Sequence, residues 1–294
     1  MNELYHHGIL GMRWGIRRFQ NKDGSLTPMG RERYQQLVER SFAYNNAKKY
    51  ESERQENLKK HGVSSKDADT DILKKGMTVR RITNVQEDVD DRRKYTSITD
   101  RDRETYRNNA DLLPMQNRTE PDYYEETYKV KKDIKIASAK NVTEHLLKEY
   151  GDTKVSELKK FKQQIERGYK PLHYFKDVTV AEVYDMLGDA TKGDAPTAFE
   201  VYKDLTGRNV SLSKKDKKFL EDVSRREEEG RSILRGFYNE NLTNVDKSSK
   251  IFKDFRDKGY DAVVDMEDYA DFAEYPVIFL NPKESMKKVK SEKF

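Results

Sequence analysis

The residues able to do chemistry in this chain are few and far apart. Arg80 and Arg81 lie in the run Met77-Thr78-Val79-Arg80-Arg81-Ile82, whose β-branched residues predict a strand. A guanidinium fixed on a strand suits paired, charge-assisted hydrogen bonds to an anion. Thr96-Ser97-Ile98-Thr99 places hydroxyls at a strand end, and Thr99 or Asp100 can cap a helix over 100–108. Glu267 and Glu274 belong to the acidic segment between two late apolar runs, where a carboxylate can stabilise developing positive charge. Many other chemistries are missing from the sequence. There is no Walker loop, no G-x-G-x-x-G, no H-E-x-x-H and no G-x-S-x-G. Cysteine is absent, which excludes disulfides, thiolate catalysis and zinc–thiolate sites. His145 and His173 stand alone and read as surface or packing residues. His6 and His7 supply at most part of a metal site, and no metal is expected.

These residues must be positioned by a sheet. Tyr260-Asp261-Ala262-Val263-Val264 and Tyr275-Pro276-Val277-Ile278-Phe279-Leu280 predict neighbouring core strands, the second buried on both faces. Tyr123 to Ser138 predicts further strands, with Ile134, Ile136 and Ser138 alternating against charge. From 142 to 255 the pattern is mainly helical, with helices expected over 142–150, 154–167, 178–187, 195–205, 213–228, 231–238 and 247–257. Gly151, Gly168, Gly188, Gly207 and Gly230 punctuate them. Near the N-terminus, Thr27-Pro28 predicts a helix start, and the helix would run to about residue 61 with a thin apolar stripe. The expected architecture is α+β: a small mixed or antiparallel sheet with a large helical subdomain. The expected divisions are an N-terminal module over 1–34, an exposed helical arm and linker over 35–71, and a body over 72–294 with a helical insertion at about 142–255.

Composition narrows the function classes. Charged residues make up 38% of the chain and hydrophobic ones 34%, so the core must be economical. The net charge of +5 comes from 58 basic and 53 acidic residues, a mixed surface rather than a basic one. Nucleic-acid binding through the lysine-rich helices is therefore the weakest of the readings. No apolar stretch approaches the roughly 20 residues needed to span a bilayer, and no membrane partner is expected. The apolar residues at the N-terminus are broken by His, Gly and Arg, unlike a signal-peptide core.

Two resemblances carry function. The pattern His7-Gly8-x-x-Gly11-Met12-x-Trp14-Gly15-x-Arg17-Arg18, then Asn21-x-Asp23-Gly24-Ser25-Leu26-Thr27-Pro28-x-Gly30-x-x-Arg33-Tyr34, resembles a short module of proteins encoded by tailed phages and prophages of Gram-positive bacteria. That module stands at the ends of otherwise different proteins, often beside head or structural genes. The resemblance implies a virion-associated or minor capsid protein, found in the virion or the host cytoplasm. Residues 5–34 would dock on capsid, head or portal proteins. Trp14 and its apolar neighbours then either plug the chain's own body or anchor it in a partner.

The second resemblance covers about residues 72–290. An arginine on an early strand, a Ser/Thr-rich strand end followed by a helix, and a carboxylate beside a late strand resemble the Arg–Ser–Glu layout of the ADP-ribosyltransferase superfamily. The ending from Gly259-Tyr260-Asp261 to Leu280-Asn281-Pro282 resembles phage-borne members. The likeness implies NAD as substrate, bound by Arg80 or Arg81 together with Thr96 and Ser97. Glu274 or Glu267 would be the catalytic carboxylate, and host proteins the acceptors. The Glu-x-Glu or Gln-x-Glu pair of the family is absent: Glu267-Asp268 is adjacent, and Phe272 precedes Glu274 by two. The expectation is a virion protein carrying an ADP-ribosyltransferase-like domain, packaged and delivered with the genome; the alternative is an active effector or toxin. On a purely structural reading, Arg80 and Arg81 are ordinary strand charges, Ser97 a cap and Glu274 a turn residue.

Overall fold

The computed structural model describes residues 49–85, 89, 93–112, 122–168, 175, 178–187, 214–269 and 273–294, with the backbone alone at 112, 214–224 and 245. The chain divides into two units, Met1–Asn45 and Asn46–Phe294. The N-terminal module, the helix expected before residue 49, the helix expected over 195–205, and His6, His7 and His173 lie outside the described residues.

Nine strands form one mixed sheet among the described residues. They are β1 (Val63–Asp67), β2 (Thr70–Leu73), β3 (Thr78–Thr83), β4 (Lys94–Ser97), β5 (Tyr124–Val130), β6 (Ile134–Ala137), β7 (Ala262–Val264), β8 (Pro276–Phe279) and β9 (Met286–Lys293). Their order is β1-β2-β6-β7-β8-β4-β3-β5-β9. The fold is α+β as expected, but the sheet is larger than expected, because segments with no strand-like pattern join its edges. Residues 63–73, expected as linker up to about 71, form the β1–β2 hairpin. Its edge strand buries only Val63 and exposes Ser64 to Asp67, so a polar edge hides the alternation on which a strand is recognised. At the opposite edge, lysine-rich β9 pairs antiparallel with β5.

The two late apolar runs behave as their composition requires. Every residue of β7 and β8 is buried, and the strands pair antiparallel through Ala262↔Phe279, Val263↔Ile278 and Val264↔Val277. β7 also pairs parallel with β6. A parallel neighbour demands a crossover connection, and the helical subdomain is that crossover. Its described helices are α3 (Ala139–Tyr150), α4 (Lys159–Glu166), α5 (Val180–Met186), α6 (Lys214–Thr243) and α7 (Val245–Asp257). The two helices expected over 213–228 and 231–238 are one, because Gly230 is not a break. A Cβ at Gly230 would lie 2.8 Å from Leu187 Cδ2, so this glycine admits the side chain that closes α5 against α6.

Ahead of the sheet lies α1, residues 49–60. It is not an exposed arm: Arg54 and Leu58 are buried, although the other described positions are half-buried or exposed. α2 (Asp100–Asn108) follows β4 and is capped by Thr99, whose hydroxyl accepts the Asp102 N–H. The short helices α8 (Met266–Tyr269) and α9 (Pro282–Ser285) flank β8. Phe279 lies fully buried at the centre of this arrangement. Phe279→Ala should lower unfolding free energy by about 3–5 kcal/mol, read by chemical denaturation.

Candidate functional site

Strand register decides which of the expected residues meet. Arg80 of β3 stands opposite Ser97 of β4, and Ser97 stands opposite Pro276 of β8. Cross-strand partners project from the same face, so Arg80 and Ser97 share one side of the sheet. Glu274 lies two residues before Pro276, at the end of β8 where β4 finishes. The Ser97 hydroxyl donates to the Arg80 carbonyl at 3.3 Å. Arg80 Nη1 lies 3.1 Å from Asp100 Oδ1, and Arg80 Nε lies 3.7 Å from Glu125 Oε1.

Glu125 gathers more than Arg80. Arg103 Nε is 2.7 Å from its Oε1, and Arg107 Nη1 is 3.5 Å from its Oε2. Three guanidiniums thus surround one buried carboxylate. Asp100 pairs with Arg80, and Asp100 and Glu104 both act on the Arg103 guanidinium. The partly exposed guanidiniums can offer forked donors to an anionic ligand with several oxygens.

Glu274 is buried and held on two sides. Its Oε2 accepts from Asn57 Nδ2 of α1 at 2.8 Å. Its backbone N–H donates to Asp102 Oδ1 at 2.6 Å, and the next amide, of Tyr275, donates to Asp102 Oδ2 at 2.8 Å. His61, just past α1, places Nδ1 2.9 Å from the Asn57 carbonyl oxygen and Nε2 3.5 Å from Asp100 Oδ2. A continuous polar path therefore runs from Arg80 through Asp100, His61 and Asn57 to Glu274.

Three other expected residues do not join it. Arg81 alternates to the opposite face, where its Nη1 lies 3.5 Å from Glu126 Oε2. Glu126 is also bound by the Tyr128 hydroxyl and by Lys288 Nζ at 2.8 Å. Thr96 alternates away from Ser97 and spends its hydroxyl on the Val277 carbonyl at 3.2 Å, fastening β4 to β8. Glu267 turns towards α6, where Asn239 Nδ2 donates to its Oε1 at 2.6 Å. There it lines a cleft of about 600 Å³ together with Lys159, Lys160, Arg235 and Glu240. Arg81, Thr96 and Glu267 are thereby removed from the candidate site, two by the two-residue period of a strand and one by a helix-side partner. His145 does pack, its ring centroid 5.0 Å from that of Phe255.

Asp102, Asp100, Asn57 and His61 were not legible as site residues. Thr99-x-x-Asp102 carries a capping signal, but nothing local says that the Asp102 carboxylate also spans two amides of a distant strand. Asn57 sits in a polar helix without a distinguishing pattern. Among the described residues, no group of three or more His, Asp or Glu is placed to hold a metal ion. No protein-family model, curated protein or solved structure matches this chain.

Burial pushes the Asp102 carboxyl up from 3.8 to about 6, against the lowering effect of the two amides it accepts. The folded state therefore holds this proton more tightly than the unfolded chain. The contribution of Asp102 is greatest below the ordinary value and declines as pH rises through the window from 3.8 to about 6. Thermal unfolding of wild type and Asp102→Asn across that window should show the difference in Tm moving against the wild type as pH rises, then levelling off. A difference independent of pH would contradict the assignment.

Proposed function

We propose that this is a phage-associated protein whose body is an ADP-ribosyltransferase-like domain acting on NAD. The observation that carries the proposal is the strand register that sets Arg80 of β3 opposite Ser97 of β4, and Ser97 opposite Pro276 of β8, two residues after Glu274. The three are scattered over nearly two hundred positions of sequence, yet they lie on or beside three neighbouring strands.

Each group has a physical task. Arg80, with Arg103 and Arg107 beside it, provides forked donors for a pyrophosphate. The Glu274 carboxylate stabilises the positive charge that grows on the ribose as the nicotinamide–ribose bond breaks. Nicotinamide leaves with the bonding electron pair, and a nucleophile on an acceptor side chain closes the new bond to the ribose carbon. Ser97 braces the strand end by tying its hydroxyl to the Arg80 carbonyl. Arg81, on the far face, carries no part of this.

The phage half of the proposal rests on the sequence pattern of residues 5–34, which would dock on head or portal proteins. Mass spectrometry of purified virions should find the protein in particles; its absence from particles made by producing cells would contradict that half. The chemical half is tested by incubating the full chain with labelled NAD and host lysate. Label transfer or nicotinamide release should fall on the order of 100-fold or more in Glu274→Gln, while Glu267→Gln should match the wild type. Equal rates in wild type and Glu274→Gln would overturn it.

A further inference from the structure

The cleft that takes Glu267 has no part in the chemistry proposed above. Arg80, Ser97 and Glu274 are not among its lining residues. We infer that it is a second binding site, built for a small sugar phosphate. Its volume of about 600 Å³ falls within the range of small-ligand sites, roughly 300–1,000 Å³.

The cleft lies where polar faces of α4 and α6 meet beside α8. On α6, Ile233, Leu234, Phe237 and Tyr238 are buried, while Arg235 and Asn239, one turn apart, line the cleft. Hydrogen bonds between elements fix the walls. Glu240 Oε2 accepts the backbone N–H of Lys159 at 2.9 Å, and Glu240 Oε1 lies 3.4 Å from Lys247 Nζ of α7. Asn239 Nδ2 donates to Glu267 Oε1 at 2.6 Å, tying α6 to α8. Walls held in this way lose little freedom when a ligand enters.

The chemistry of the lining selects the ligand. Lys160 reaches across to α6: a Cβ at Gly236 would stand 3.6 Å from its Cδ, and its ammonium donates to Ser232 Oγ at 3.4 Å. That brings it to the helix that carries Arg235. An ammonium has three donors, so this one contact leaves Lys160 capacity for a phosphate. Glu240 and Glu267 share the same cleft. Their charge disfavours a bare polyanion, but carboxylates are good acceptors for sugar hydroxyls. None of the described residues that line the cleft is aromatic, so a nucleobase would find no ring to stack on. One phosphate joined to several hydroxyls satisfies cations and acids together.

Calorimetric titration of the full chain with ribose 5-phosphate and with glucose 6-phosphate, set against ribose and inorganic phosphate, tests the site. At least one sugar phosphate should bind about ten-fold or more tightly than either fragment, the factor expected from one further hydrogen bond to a charged group. Lys160→Ala should weaken that binding by about the same factor. Glu267→Gln should weaken the sugar phosphate without weakening inorganic phosphate, because the acid serves the sugar. Arg80→Lys, outside the cleft, should leave the affinity unchanged. No binding of either sugar phosphate, inorganic phosphate binding as tightly as both, or an affinity indifferent to Lys160→Ala would overturn the inference. Each of those results leaves the NAD assignment untouched, since that rests on other residues.

Discussion

The structure turns on one buried carboxylate. Asp102 is fully buried, and its two oxygens accept the amides of Glu274 and Tyr275. Those amides stand just before β8, where no strand partner of β8 meets them in register. Left unpaired in the interior, each would cost free energy comparable to a lost hydrogen bond. The single acid satisfies both and joins α2, which grows from the end of β4, to the start of β8. The direction in which Glu274 leaves the sheet is set by this tie. It is also set by the hydroxyl of Thr99, which holds Asp102 at the first turn of α2.

From that tie the polar cluster assembles on one face. β4 is fastened to β8 by Thr96 and to β3 by Ser97, so the hydroxyls of neighbouring residues secure opposite sides of the same strand. The arginines of β3 and α2 then converge on Glu125 of β5. On the opposite face a second buried carboxylate, Glu126, gathers Arg81, Lys288 and the Tyr128 hydroxyl.

Much of the core was legible because it is written in continuous apolar runs. Val263-Val264 and Val277 to Phe279 are strands buried on both faces, and such runs have few other uses. The cap at Thr99 was legible for a local reason, the hydroxyl-then-acid pattern at a helix start. The candidate site was half legible. The family likeness pointed to Arg80, Arg81, Thr96, Ser97, Glu267 and Glu274, but choosing among them needs strand register, and register is a property of pairs that no single stretch contains. Once Arg80 faces Ser97, Arg81 and Thr96 must face away. The polar hairpin of β1 and β2 and the polar helix α1 were illegible as parts of the body. Their attachment depends on a few residues, Val63, Thr70, Leu73, Arg54 and Leu58, rather than on a periodic stripe.

The proposed placing of Arg80 and Glu274 on one dinucleotide is tested most directly by binding. Calorimetric titration of NAD into the full chain, with and without Arg80→Lys, isolates the forked arginine from the chemistry. Arg80→Lys should weaken the Kd about ten-fold or more, since a lysine cannot reproduce the paired donors. Identical affinities in the two chains would contradict the site.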